Sequence, residues 1–303
     1  MACTAQTPTC HSAFMNSPIA RTVTCASPSG LHRIGYWEWP CQSGDTQPAT
    51  VLCVHGLTRN GRDFDALAER LSAHYRVICP DMAGRGRSDR LANSALYAIP
   101  QYLADCVTLV ARLDVERLAW VGTSMGGLIG MSLASLQSSP ITALVLNDVG
   151  PVLSAEGLRR IGDYVGKAPS FDSYEACLAY TRTIAAGFGP HDDAGWDMLA
   201  RHYWVRDGAR WRVHYDPRIA EPFAAAGGSG PLLLWPLYDA VACPTLLMRG
   251  ASSDLLDSAT AHEMTQRGPR ARLIEFAGVG HAPSLIPGPQ INAVEQFLKE
   301  CFK

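Results

Sequence analysis

"LAWVGTSMGGLIGM", residues 118 to 131, decides how the rest of the chain is read. Its first half is a short apolar run suited to a buried strand, and its second half has the composition of a packed helix. Between them, Ser124 sits two residues from Gly122 and two from Gly126, so Gly122 to Gly126 matches G-x-S-x-G at a strand-to-helix junction. A turn that sharp strains the backbone at its apex and lifts the serine hydroxyl out of the sheet. Side chains at 122 and 126 would strike neighbouring backbone, so glycine is required at both. The helix then starts with free amides, Met125 first, aimed at any developing negative charge. A serine placed this way is a candidate nucleophile, and the chain must supply a base, an acid behind it and a second oxyanion donor.

The base belongs late in the chain, on a loop after the last strand. Of nine histidines, His281 in "ARLIEFAGVGHAP" follows the final expected strand in a glycine-flanked loop. The "GVG" before it lacks the third glycine and the following helix of a dinucleotide-binding turn. For the acid, "LLMRGASSDLLD" ends a strand at Gly250 and places Asp254 in the next loop, which makes Asp254 the expected partner of His281. Asp257 is read as the N-cap of a helix starting at Ser258. Asp148, at the end of "ITALVLND", is the second candidate acid. The second oxyanion donor is expected from "VLCVHGLTRNGRDF", where the Leu57 amide follows a strand and a His-Gly step. His55 is read as a residue that shapes this loop and transfers no proton.

The surrounding pattern supports a covered parallel sheet. "RTVTCAS" and "HRIGYWEW" alternate as an antiparallel hairpin. Continuous apolar strands ("TVLCV", "RVICP", "LAWVG", "ITALVLN") then alternate with amphipathic helices, as in an α/β fold with helices on both faces. From Pro151 to near Ala240 the alternation gives way to helical stretches and an expected hairpin turning at Asp207-Gly208, with Asp172 and Glu175 as a possible capping box for the second helix. Strand and helix then resume. The chain therefore reads as an N-terminal arm (1–18), an α/β core (19–150 and 241–303) and a mainly helical insertion (151–240).

Composition narrows the function classes. A net charge of −2 with 18% charged residues carries no basic footprint for nucleic acid. The most apolar stretch, "PLLLWPLYDAVACPTLLM", is broken by prolines and an aspartate and makes a poor membrane span. The first residues lack the basic and apolar regions of a signal peptide, so the ten cysteines read as buried thiols of a cytoplasmic protein. No HExxH or paired CxxC spacing suggests a metal.

With Ser124, Asp254 and His281 in that order, the chain resembles the α/β-hydrolase superfamily over nearly everything from Arg21 onward. The resemblance includes "HG" after the third strand and "DMAGRGRSD" (residues 81 to 89) after the fourth, where Asp81, Gly84, Gly86 and Ser88 are structural in the family. It implies a mostly parallel twisted sheet, a cap (lid) formed by the 151–240 insertion, and no cofactor. A serine nucleophile disfavours epoxide hydrolases and dehalogenases, which need a carboxylate there. Leu57-Thr58-Arg59 and Ala282 depart from the pattern of C–C bond hydrolases. The expected reaction is hydrolysis of a small ester through an acyl-enzyme, with a short hydroxyacid ester or oligomer as a candidate substrate. A C–C hydrolase, an acyltransferase and a ligand-binding protein on the same scaffold remain alternatives. Arg59, Asn60, Trp204 and Trp211 are the candidate substrate contacts, and Trp196, Tyr203 and Tyr215 are expected mainly to pack the lid.

Overall fold

Eight strands form the central sheet of the computed structural model, which describes residues 17–222 and 231–302. Most of the expected N-terminal arm, and residues 223–230 of the insertion, lie outside the described residues. The strands are β1 (Ile19–Ser27), β2 (Gly30–Trp39), β3 (Thr50–Val54), β4 (Arg76–Pro80), β5 (Leu118–Thr123), β6 (Ile141–Asn147), β7 (Thr245–Gly250) and β8 (Arg272–Phe276). Their spatial order is β1-β2-β4-β3-β5-β6-β7-β8. The β1–β2 hairpin and the β2–β4 pair are antiparallel; every later pair is parallel.

Period-two alternation explains why these apolar runs are strands. Leu52, Val54, Ile78, Leu118, Trp120, Leu144, Leu146 and Leu247 belong to the core on one face. Val51, Cys53, Val77, Cys79, Ala119, Val121, Ala143, Val145, Leu246 and Met248 belong to the core on the other. Each buried aliphatic side chain contributes roughly 1.5–3 kcal/mol, so the sheet is stable only with both faces covered. Helix α1 (Asp65–Leu71) supplies Leu67 and Leu71 to the second face, with Val294, Phe297 and Leu298 of the last helix (Gly288–Cys301). Helices α2 (Ile99–Leu113) and α3 (Met125–Ala134) cover the first, through Tyr102, Leu109 and Ile129.

The segment between β6 and β7 contains α4 (Ala155–Tyr164), α5 (Tyr174–Ile184) and α6 (Asp193–Ala200). It also forms a small sheet from Ser170–Phe171, Arg210–Val213 and Trp204–Asp207, whose last two strands turn at Gly208 with φ +59°. Val152–Leu153 pairs with Leu232–Leu233, joining the start of this segment to its end. The capping box expected at Asp172 is displaced by one residue. Ser173 caps α5 by accepting from the Ala176 amide, and Asp172 instead pairs with Arg210 at 2.8 Å. Asp257 caps the helix Ser258–Met264 as expected, accepting from the Thr260 amide.

The segment after β4 has the structural role the sequence implies. The Asp81 carboxylate accepts from the Gly61 and Arg87 amides at 2.7 and 2.9 Å. Burial pushes its acid form up to about 6, against the opposing pull of the Arg87 and Gly61 amides. A β-carbon on Gly86, at φ +52°, would lie 2.4 Å from that carboxylate. The eight cysteines among the described residues are all free, and five of them are buried.

At the junction of β5 and α3, a β-carbon on Gly126 would stand 1.9 Å from the Val54 carbonyl oxygen, and one on Gly122 would stand 2.4 Å from the Gly126 backbone. Gly126→Ala should therefore destabilise the protein by about 3 kcal/mol or more, measured as a lowered urea midpoint or as loss of soluble folded protein. A variant as stable as the parent would show that helix and strand do not approach this closely.

Candidate active site

The turn at 124 places its side chain as the sequence predicts. Ser124 has φ +51° and ψ −114°, a strained conformation held by the Ser124 amide on the Asn147 carbonyl at 3.0 Å. Its Oγ lies 2.9 Å from His281 Nε2. His281 Nδ1 lies 2.7 Å from Asp148 Oδ2. The three residues follow β5, β8 and β6, all at the carboxyl edge of the sheet, where open α/β sheets place their ligands. An ionised carboxylate can only accept, so Nδ1 carries the proton and Nε2 accepts from Ser124.

Asp148, not Asp254, is therefore the acid that faces the base. Its carboxylate is fully buried and accepts three bonds, from Gly250 N–H (2.8 Å), Ser253 Oγ (2.6 Å) and His281. Its own amide donates to the Met248 carbonyl at 2.7 Å, extending the β6–β7 ladder by one rung before the chain turns at φ +56°. Asp254 stands apart from this line. Arg160 of α4 grips it through Nε and Nη2, and Ser154 Oγ donates to its backbone carbonyl. Although burial opposes it, the Arg160 guanidinium holds the Asp254 carboxyl below its ordinary range. The insertion, through Arg160, holds the carboxylate that the sequence pointed to as the acid.

Further hydrogen bonds fix the nucleophile's surroundings. Asn147 Nδ2 donates to Thr123 Oγ1 (2.9 Å) and to the Pro283 carbonyl (2.8 Å), fastening the base loop to the elbow. Trp120 Nε1 donates to the Gly126 carbonyl at 2.9 Å. The loop after β3 runs beside Ser124: a β-carbon on Gly56 would lie 3.8 Å from Ser124 Cβ. This brings Leu57 next to the nucleophile, opposite Met125 at the first turn of α3, whose amide has no intrahelical acceptor. His55 accepts from the Met82 amide at Nε2 and donates from Nδ1 to the Gly56 carbonyl. Burial holds it down at about 3, against the pull of that Gly56 bond and with help from the charges of Arg85 and Arg59. It is a neutral brace for the loop.

Arg85, which the sequence did not single out, is nearly fully buried beneath both oxyanion candidates. It donates to the Leu57 carbonyl (2.9 Å), the Ala83 carbonyl (2.7 Å) and Tyr102 Oη (2.7 Å), and reaches Met125 Sδ at 3.9 Å. A buried guanidinium spread over four acceptors is a rigid support.

Above Ser124 and His281 lies a cavity of about 70 Å³. Its insertion-side wall is Ile161, Tyr164, Ile184, Phe188, Leu199 and Tyr203, with Arg160 at the edge. Arg59 also lines it, but as a tied residue: Nε and Nη2 fork onto Asp63 (2.6 and 2.7 Å), and Nη2 also reaches the Leu199 carbonyl. Asn60 turns away from the cavity, capping the turn at Arg62 and donating to the His202 carbonyl at 2.7 Å. Trp204 is buried, donating to Thr181 Oγ1 and packed edge-on against Phe171 and Tyr203. Trp211 packs on Tyr174. Neither tryptophan lines the cavity; Tyr203, expected to pack the lid, does.

Among the described residues one group has metal-ligating atoms close together, Cys25, His32 and Asp105, within 4.8 Å of one another. Asp105 Oδ1 there accepts from both His32 Nε2 (3.0 Å) and Gln101 Nε2 (2.8 Å). This network pins the β1–β2 hairpin to α2. No helix among the described residues is long and apolar enough to cross a membrane.

Fold and site together define a serine hydrolase. Residues 49–172 match the model of the alpha/beta hydrolase fold family. The chain is 47% identical over 290 residues to a 3-hydroxybutyrate-oligomer hydrolase of Cupriavidus necator, covering 93% of this chain and 98% of the relative. A crystal structure of an alpha/beta hydrolase from Novosphingobium aromaticivorans superposes with a TM-score of 0.85 at 38% identity, over 94% of this chain and 99% of that one. E-2-(acetamidomethylene)succinate hydrolase shares the fold at 22% identity, with a TM-score of 0.80 over 93% of this chain and 99% of its own. The chain belongs to the α/β-hydrolase fold family.

Two predictions follow from the site's electrostatics. Asp148→Asn should lower ester turnover by about 10³–10⁴-fold, because an amide no longer holds the imidazole in the working tautomer, whereas Asp254→Asn should cost under about 10-fold in the same p-nitrophenyl butyrate assay. The reverse ranking would return the acid's role to Asp254. The second concerns pH. Burial, aided by the Arg62 and Arg201 charges, holds His202 down at about 3. Between its ordinary value of about 6.5 and about 3 the unfolded chain takes up a proton there that the folded chain refuses, so stability falls as pH drops. Asp81, raised to about 6, acts in the opposite sense over its own window. The comparison is therefore between variants: His202→Gln should show a shallower fall in melting temperature from pH 7 to pH 5 than the parent. Parallel curves would mean that His202 titrates alike in both states.

Proposed function

We propose that the protein is a carboxylic ester hydrolase acting on short hydroxyalkanoate oligomers, with Ser124 as nucleophile, His281 as base and Asp148 as the acid that orients it. The observation that carries this reading is the unbroken line Ser124 Oγ–His281–Asp148 opening into a small, mainly apolar cavity. The oligomer assignment draws support from the extent of the similarity to the 3-hydroxybutyrate-oligomer hydrolase. A small cavity walled by Ile161, Ile184 and Phe188 suits a short acyl unit better than a long chain.

In the first half-reaction Ser124 Oγ attacks the ester carbonyl while His281 Nε2 takes its proton. The Leu57 and Met125 amides receive the oxyanion, each donor contributing roughly 3–4 kcal/mol at the transition state. His281 then returns the proton to the leaving alkoxide. Water, activated by the same nitrogen, hydrolyses the acyl-enzyme and restores the Ser124 hydroxyl. The insertion 151–240 serves as the cap that shields these steps from bulk water.

Ser124→Ala and His281→Ala should each reduce turnover of p-nitrophenyl butyrate and of 3-hydroxybutyrate dimer and trimer by at least ~10³-fold, and the double variant should be little worse than either. Full turnover by a folded Ser124→Ala protein would sink the mechanism. Rapid hydrolysis of the nitrophenyl ester with none of either oligomer would sink the substrate assignment while leaving the mechanism standing.

A further inference from the structure

The two guanidinium groups lining the cavity are not equivalent. Arg59 is closed off: its side chain is 9% exposed, Asp63 occupies one face of its fork, the Leu199 carbonyl takes another bond, and the Tyr203 ring lies 4.9 Å beneath it. Arg160 is open. Its side chain is 40% exposed and that of its partner Asp254 is 33% exposed, so this ion pair stands at the water-facing rim. Arg160 immediately precedes Ile161 and lies one helical turn before Tyr164, both of which line the cavity. Asp254 has no place in the line behind His281. A half-exposed carboxylate gripped by a fork of the cavity rim occupies the place a carboxylate ligand would take.

We propose that Arg160, flanked by Tyr164, is the binding group for the free carboxylate of a hydroxy-acid chain, exchanging Asp254 for the substrate. The inference rests on the reading of the site as an oligomer hydrolase, because such chains carry a carboxylate at one end. The geometry also assigns direction. The apolar cavity takes the acyl part, and the wet rim takes the acid end. The ester bond over Ser124 is then the one whose alcohol side bears the carboxylate. Ser124 Oγ forms its bond to the acyl carbon, the ester C–O bond breaks, and His281 gives its proton to the departing oxygen. The hydroxy acid leaves from the exposed side. Solvent reaches both members of the Arg160–Asp254 pair and screens part of their attraction, and a ligand carboxylate would meet the same fork.

The experiment compares kcat/KM for 3-hydroxybutyrate trimer as the free acid and as its methyl ester, in the parent, Arg160→Gln, Arg160→Lys and Asp254→Asn. The parent should prefer the acid. Arg160→Gln should reduce the acid-to-ester ratio by about 10- to 100-fold, mostly through KM. Arg160→Lys should recover part of it, since an ammonium keeps the charge but loses the fork. Asp254→Asn should keep the ratio or raise it, because the competing carboxylate is gone. Equal losses on both substrates in Arg160→Gln would show that Arg160 only latches the cap and would overturn the proposal. So would a parent that hydrolyses both forms equally well. A parent inactive on both forms but active on p-nitrophenyl butyrate would instead bring down the oligomer reading, and this inference with it. Should Arg160→Gln fail to fold, the parent's own ratio and its change in Arg160→Lys decide the matter.

Discussion

The contact between the start of α3 and the end of β3 governs the rest of this site. Helix and strand meet with no side chain between them, at Gly126 over the Val54 carbonyl and at Gly122 over the Gly126 backbone. Because the helix can begin that abruptly, the residue between strand and helix is forced to φ +51° and its hydroxyl stands clear of the sheet. The same closeness brings the loop that continues from Val54, with Leu57, beside the first amide of α3. One steric condition thus sets the Ser124 hydroxyl and the loop bearing the Leu57 amide together. Strain at Ser124 persists because flanking contacts over-determine it, chiefly the Asn147 carbonyl on its amide and Trp120 on the Gly126 carbonyl.

Two carboxylates reach the end of the sheet on adjacent strands, and partners elsewhere in the chain decide their tasks. Ser253 Oγ accepts from the Leu255 and Leu256 amides, which leaves its proton for Asp148. The Gly250 amide holds the other oxygen. Asp148 is thereby fixed, dry and aimed at His281. One residue past Ser253, Asp254 faces outward and meets Arg160 from the insertion. The two carboxylates differ by their partners: Asp148 meets the Gly250 amide and Ser253 hydroxyl inside the fold, and Asp254 meets Arg160 at its edge.

This explains what the sequence disclosed and what it hid. Features set by neighbouring residues were legible: the two-residue alternation of the strands, the glycines around Ser124, the turn at Gly208, the Asp257 cap and the late loop bearing His281. The choice between Asp148 and Asp254 was not, because both follow an apolar strand and only the distant Ser253 and Arg160 contacts separate them. Tryptophans at 204 and 211 invited a substrate role through their size, yet size is what fills the small core of the insertion; the cavity went instead to Tyr164 and Tyr203 and to Ile161, Ile184 and Leu199 of α4, α5 and α6. Arg85 lay inside a motif read for its aspartate and glycines. Two arginines alternate with glycines in "GRGRSD", and nothing local marks Arg85 rather than Arg87 as the buried one.

The ties between the insertion and the core are unevenly buried. Arg59 and Asn60, just beyond the oxyanion loop, bind the Leu199 and His202 carbonyls at the end of α6. The Gly86 and Asp216 amides stitch the loop after β4 to residues 214–216 with bonds to the His214 and Gly84 carbonyls, which sets Arg85 opposite Tyr215 in a single antiparallel bridge. That side of the insertion is tied to the same loops that position Leu57. Helix α4 is held at the rim through Asp254, by a half-exposed ion pair and the Ser154 bond. Its other ties are buried: the Ser154 amide donates to the Leu255 carbonyl, and Ile161 and Val165 belong to the same core as Leu255 and Leu256. The Arg160–Asp254 pair is the solvent-touched part of that attachment.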